Sequence, residues 1–128
     1  MSKVVLDASV LLAIIHREPG FNKLTPDLLA IATVSTVNIA EVHSKLVSSS
    51  WSRDEAWEDA NSPANEIAPF TPEHARIAGN LIAETRQFGL SLGDRACLAL
   101  ALSLKAPVYT ADRSWKNLKL GVRVHVIR

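Results

Sequence analysis

The feature that most constrains this chain is an alternation. Short apolar runs of strand length are separated by helical stretches too long for hairpin connections. Val4-Val5-Leu6 is a buried strand that meets an acid, Asp7, at its end. Val10 to Ile15 follows as a buried helix, closed by Pro19-Gly20, and a further helix is predicted over about Pro26–Ala32. Thr33–Thr36 is a second, β-branched strand. Ile39, Val42, Leu46 and Val47 then recur at helical spacing up to Ser48-Ser49-Ser50. Trp51–Ala60 is an acidic helix stopped by Asn61-Ser62-Pro63. Ile67–Phe70 is a weak third strand whose Pro69 cannot donate to a ladder, which places it at an edge. Thr71 and Pro72 carry the N-cap and first-turn signals of a helix that runs through Ile77, Leu81, Ile82 and Thr85 to Gly89. Ser91–Leu104 is apolar on all sides and so buried. Val108–Thr110 and Val122–Val126 are the fourth and fifth strands. Strand–helix alternation of this kind implies a parallel sheet of about five strands covered on both faces, a single α/β/α sandwich over residues 1–128.

In such sheets ligands bind at the carboxyl ends of the strands, near the point where strand order reverses. Four acids fall where that edge is expected. Asp7 ends the first strand, and Asp112 lies just past the fourth. Glu41 lies early in the helix after the second strand, and Asp94 in the first turn of the helix feeding the fourth. Each also has a structural reading. Asp94 stands at capping-box spacing from Ser91, and Glu41 at a cap-like spacing from Asn38. Asp7 and Asp112 are placed to cap the helices that follow them. Together the four pose an electrostatic problem. Two carboxylates about 4 Å apart repel by roughly 4 kcal/mol at an effective dielectric of about 20, so protons or a cation must resolve the cluster. An all-oxygen, anionic set suits Mg²⁺ or Mn²⁺ rather than zinc. Beside a phosphate, such a site performs phosphodiester hydrolysis.

Other chemistries find less support. The single cysteine, Cys97, sits in an apolar helix and excludes an internal disulfide or a zinc cage. The four histidines stand at no metal-ligand spacing and are expected at the surface or at edges. There is no Gly-x-Ser-x-Gly elbow and no glycine-rich phosphate loop. A haloacid-dehalogenase-like phosphatase needs a second acid where Ser9 stands, and a receiver domain needs an acidic pair where Asp7 is alone. The opening is not a signal peptide, and no apolar run is long enough for a membrane span, so a cytoplasmic location is expected.

The net charge of +1 hides an asymmetry. Residues 1–75 hold 5 Lys/Arg against 10 Asp/Glu, and residues 76–128 hold 9 against 3. The basic half is either a polyanion footprint or a division along the chain that the fold disperses. Arg95 and Arg113 each follow a site acid, where they either hold a substrate phosphate or relieve charge crowding. Lys116 shares a face with Arg113 at i, i+3 spacing. Trp115 either packs the last helix on the sheet or offers a stacking surface to a base.

At this point the residues resemble a known family. Val4–Ser9 resembles the opening Asp-x-Ser/Thr of PIN domains, Val37–Val42 the second acidic motif, Leu90–Ala101 the third and Val108–Trp115 the fourth. The likeness runs from Lys3 to Ile127 and is greatest to VapC-type toxins of toxin–antitoxin pairs. It implies a Mg²⁺- or Mn²⁺-dependent endoribonuclease with metal-holding acids at Asp7, Glu41, Asp94 and Asp112. It also implies hydroxyls at Ser9 and Thr110 that orient these carboxylates. A VapB-type antitoxin is the implied partner, RNA the implied substrate and a homodimer the implied assembly. A non-catalytic RNA-binding or scaffold module of the same fold is the alternative.

Overall fold

The computed structural model describes residues 2–128. Five parallel strands, β1 (Val4–Leu6), β2 (Ala32–Ser35), β3 (Glu66–Ala68), β4 (Val108–Thr110) and β5 (Val124–Val126), pair in the order β3-β2-β1-β4-β5. The chain therefore builds outward from β1 to β3 on one side, then crosses back to place β4 on the other. Crossovers in parallel sheets are right-handed. Reversing the direction of travel thus moves the connecting helices to the opposite face.

The two cores show that division. On one face Val4 and Leu6 of β1 pack with Val10 and Leu11 of α1 (Ala8–His16), Ile39, Val42 and Leu46 of α3 (Thr36–Ser48) and Ala56 and Ala60 of α4 (Arg53–Asn61). A single-turn α2 (Pro26–Leu29) links α1 to β2 on that side. On the other face Val5 packs with Cys97, Leu98, Leu100 and Ala101 of α7 (Leu92–Leu104), beside Leu81 and Trp115. Adjacent β1 residues point to opposite faces, and both faces are covered. That is why the strand reads as an unbroken apolar run.

Several element bounds differ from the sequence expectation. Thr36 joins α3 because Ser35 turns out as the N-cap, its hydroxyl accepting from Val37 N–H at 3.2 Å. β3 stops before Pro69, which has no N–H to give, and it occupies the edge as that proline implies. The helix expected to run to Gly89 is three pieces: α5 (Pro72–Asn80), α6 (Ile82–Thr85) and a 3-10 turn, Arg86–Phe88. Gly89 closes it at a positive φ of 63°. β5 begins at Val124 rather than Val122. His74 is buried, against the expected surface position: its ring nitrogen Nδ1 accepts from Thr71 N–H and completes the cap of α5. Trp115 is 1% exposed inside the second core, which rules out base stacking by that ring in this structure.

Candidate active site

Asp7 is held by three hydrogen bonds. Its side chain caps α1, Oδ1 accepting from Val10 N–H at 3.0 Å. Ser9 Oγ donates to the same oxygen at 2.6 Å, and Thr110 Oγ1 donates to Oδ2 at 2.7 Å. Each hydroxyl also accepts a main-chain N–H from the loop after β4, Ser9 from Ala111 at 2.9 Å and Thr110 from Asp112 at 3.0 Å. The parallel pairing of β1 with β4 brings Leu6 opposite Tyr109 and so sets these groups side by side. The carboxylate is only 4% exposed. Burial pushes its pKa up to about 6, against the three hydrogen bonds, and the Asp94 charge adds to the rise.

The other three acids border the same cavity of about 560 Å³ at the carboxyl ends of β1 and β4. Asp94 forms a capping box with Ser91, its Oδ2 accepting from Ser91 N–H at 2.9 Å. Asp112 caps the 3-10 turn Arg113–Asn117, its Oδ1 accepting from Ser114 N–H and Oγ. These caps consume one oxygen of each carboxylate. Capping therefore does not exclude a second role for these acids. Glu41 is not tied to a cap. Its Oε1 accepts from Asn38 Nδ2 at 2.7 Å, within α3. Beneath the cavity, burial and the charges of Asp7, Asp94 and Glu41 raise the Cys97 thiol well above its ordinary value, so it stays protonated and unreactive.

The donor set fits a hard divalent cation. It is all oxygen and all anionic, and its central carboxylate is buried without a cationic partner among the described residues. No three acidic, histidine or cysteine side chains among the described residues close onto one point. Mg²⁺ does not need such closure, because it retains several waters and takes few carboxylates directly.

The cations at this cavity are not the ones the sequence suggested. Arg95 turns away and donates from Nη1 to the Ala78 carbonyl at 2.8 Å, tying α7 to α5. Arg113 donates from Nε to the Arg128 carbonyl, and neither it nor Lys116 lines the cavity. Lys45 and Arg128 do, and His16 lines it as well. Lys45 lies one helical turn beyond Glu41, a spacing that puts both on one face of α3. His16 ends α1, the helix that Asp7 begins. Asp7 thus sits at the start of α1 and Glu41 in the second turn of α3, and His16 and Lys45 lie further along the same helices. Asn38 and Gly93, which also touch Glu41, were legible only as an i, i+3 polar pair and as a glycine directly before a site acid.

The PIN domain family model matches residues 4–120. The chain belongs to the PIN-domain family. Its PIN fold is shared by solved structures of low sequence identity. One, a DNA-bound VapBC from Salmonella typhimurium, superposes with a TM-score of 0.79 at 18% identity over 100% of each chain. VapBC-5 from Mycobacterium tuberculosis gives 0.67 at 24% identity, covering 100% of this chain and 99% of that one. VapC20 from the same organism, described as a toxin that cleaves the sarcin-ricin loop, gives 0.73 at 14%, covering 94% and 99%. No curated protein matches this PIN domain in sequence.

Proposed function

We propose that residues 1–128 form one metal-dependent endoribonuclease domain that acts as a VapC-type toxin. The observation that carries this reading is the meeting of Asp7, Glu41, Asp94 and Asp112, from four separate stretches of chain, around one open polar cavity. Membership of the PIN family and the shared fold of the VapBC structures support it. Asp7, Glu41 and Asp94 would hold a Mg²⁺ or Mn²⁺ ion, with Asp112 as the fourth acid lining the same cavity. Bound there, the ion supplies Lewis acidity to a phosphate oxygen and a more acidic water.

The chain's own residues do the rest. Ser9 and Thr110 hold both Asp7 oxygens in place, so no reorganisation is needed when charge develops nearby. Asp94 and Asp112 are held by their caps in the same way. Four acids alone repel a polyanion. Lys45 and Arg128 along the same cavity supply attraction for backbone phosphates beyond the one that is cut. A VapB-type antitoxin covering this cavity, a homodimeric assembly and a cytoplasmic location complete the reading. No helix among the described residues is long and apolar enough to cross a membrane.

The test is cleavage of single-stranded RNA with Mn²⁺ or Mg²⁺, beside p-nitrophenyl phosphate as a monoester control. Cleavage of RNA alone, abolished by EDTA, is expected. Undiminished cleavage in EDTA, or turnover of the monoester only, overturns the reading. Expression in a bacterial host is expected to arrest growth, with Asp7→Asn relieving the arrest.

A further inference from the structure

Asp7 is pinned by three donors, but Glu41 reaches the cavity on a long side chain with three rotatable bonds. Two neighbours compensate. Asn38, one turn earlier on α3 and 1% exposed, donates from Nδ2 to Glu41 Oε1 at 2.7 Å and to the Gly93 carbonyl at 3.1 Å. Gly93 lies in the first turn of α7, directly before Asp94. A Cβ placed on it would collide with both carboxylate oxygens of Glu41. The glycine is thus the space in which the carboxylate rests.

The orientation of the Asn38 amide follows from its partners. Turned over, it would set Oδ1 against a carboxylate and a carbonyl, two acceptors. Held as it is, Oδ1 is buried with no hydrogen-bond partner among the described residues. A buried unpaired acceptor is unfavourable, and packing α3 on α7 does not require an amide there. What the arrangement secures is a donor fixed on Glu41.

We propose that Asn38 and Gly93 form a seat that pre-sets the Glu41 carboxylate for the divalent ion. Asn38 is a positioning residue acting through Oε1, and Gly93 supplies the room. The proposal rests on the metal-dependent reading above. Holding the carboxylate before the ion arrives lowers the ordering cost of binding, and loss of a hydrogen-bond partner of a metal ligand typically weakens metal affinity about 10–100-fold.

Gly93→Ala is the decisive variant. Position 93 has an ordinary helical φ, and the colliding atoms are the far end of a flexible side chain, so the carboxylate moves and the backbone stays. Alanine also favours the helix over glycine. The expected result is an unchanged or raised Tm of the metal-free protein together with Mn²⁺ affinity lowered about 10–100-fold by calorimetric titration. RNA cleavage should fall at limiting Mn²⁺ and recover at high Mn²⁺. Asn38→Ala should lower Mn²⁺ affinity similarly. In a Glu41→Gln background neither substitution should cost further affinity, because both act through the group already altered. Wild-type Mn²⁺ affinity in Gly93→Ala, or losses that add in the Glu41→Gln background, would overturn the seat while leaving the metal reading intact. A wild-type protein that binds no Mn²⁺ would overturn both.

Discussion

The two ends of the sheet make an instructive pair. At the carboxyl ends of β1 and β4 lies the acidic cavity of about 560 Å³; at the amino ends of β4 and β5 lies another of about 650 Å³, lined by Leu102, Pro107, Leu120 and Val122 with Lys105 and Arg123. The second is the larger and carries the opposite charge. Yet no side-chain hydrogen bond among the described residues fixes a polar group there, whereas the first is bounded by carboxylates each held by a donor. Space alone does not make a site. The difference is pre-set polar geometry, and that comes from the parallel sheet, which delivers helix starts and strand ends to one edge only.

The strongest way to break this contrast is to remove charge at each end. Asp7→Asn should lower RNA cleavage by at least about 10²-fold, the scale of losing one electrostatic element of a site. Lys105→Ala with Arg123→Ala should leave it unchanged. Rates measured side by side decide. A fully active Asp7→Asn enzyme would mean that the hydrogen-bonded acid is only a helix cap.

A second test sharpens the contrast by stability. Asp7 titrates near 6 in the folded protein because burial disfavours its charge, against 3.8 as its ordinary value. Its neutral form is therefore stabilising below about pH 4, and that contribution is lost as pH rises through 6. At neutral pH the buried charge costs about 3 kcal/mol at 1.36 kcal/mol per pKa unit. Without metal, Asp7→Asn should thus gain stability over wild type as pH is raised from 4 to 7.5, measured by urea unfolding. Mn²⁺ should shrink the gap by stabilising only the wild-type carboxylate. A gap independent of pH would show that Asp7 is ionised at no cost.

Thr110→Val should have a smaller effect. It keeps shape but removes the donor to Asp7 Oδ2 and the acceptor for Asp112 N–H. A loss of about 1–3 kcal/mol in stability is expected from the orphaned groups, with cleavage reduced and the Mn²⁺ requirement raised. Unchanged unfolding and unchanged Mn²⁺ dependence would show the bridge to be dispensable.

The smallest expected effect concerns charge. Lys45→Glu should weaken RNA binding by the inactive Asp7→Asn protein and lower the log–log salt slope by roughly 0.7, one phosphate contact on a single strand. Lys105→Glu at the other end should not. Equal slopes for both variants would deny Lys45 a phosphate.

The layout of the sheet and the places of the four acids were legible because both depend on local order. An apolar run ending in an acid marks a strand end, and Asp7 and Asp112 follow strands directly. Ser9 and Thr110 were legible only through the resemblance to PIN domains, and both hydroxyls do donate to Asp7. The cations were not. Arg95 is next to Asp94 in sequence, but on a helix adjacent residues diverge by about 100°, and its side chain goes to Ala78. Lys45 stands in the acidic half, and its one signal, the i, i+4 spacing from Glu41, is lost in a charge count by halves. The charge asymmetry between halves therefore did not map onto one face: Arg123 and Lys105 line the opposite end. Strand ends and the break after Asn80 were misjudged because capping by Ser35 and the short turn at Leu81 are decided by tertiary fit.

The pairing of β1 with β4 has a consequence for when the protein can act. Thr110 and Asp7 are 103 residues apart, and their hydrogen bond joins the first strand to the fourth. Contacts of such separation carry a loop-closure cost that must be met before they stabilise anything. A growing chain that has not yet delivered β4 has neither Thr110 nor Asp112, and its central strand lacks a neighbour on one side. During synthesis on the ribosome the acids laid down first stay apart from the last, so the four-acid edge comes into being only after β4 and Asp112 have been made.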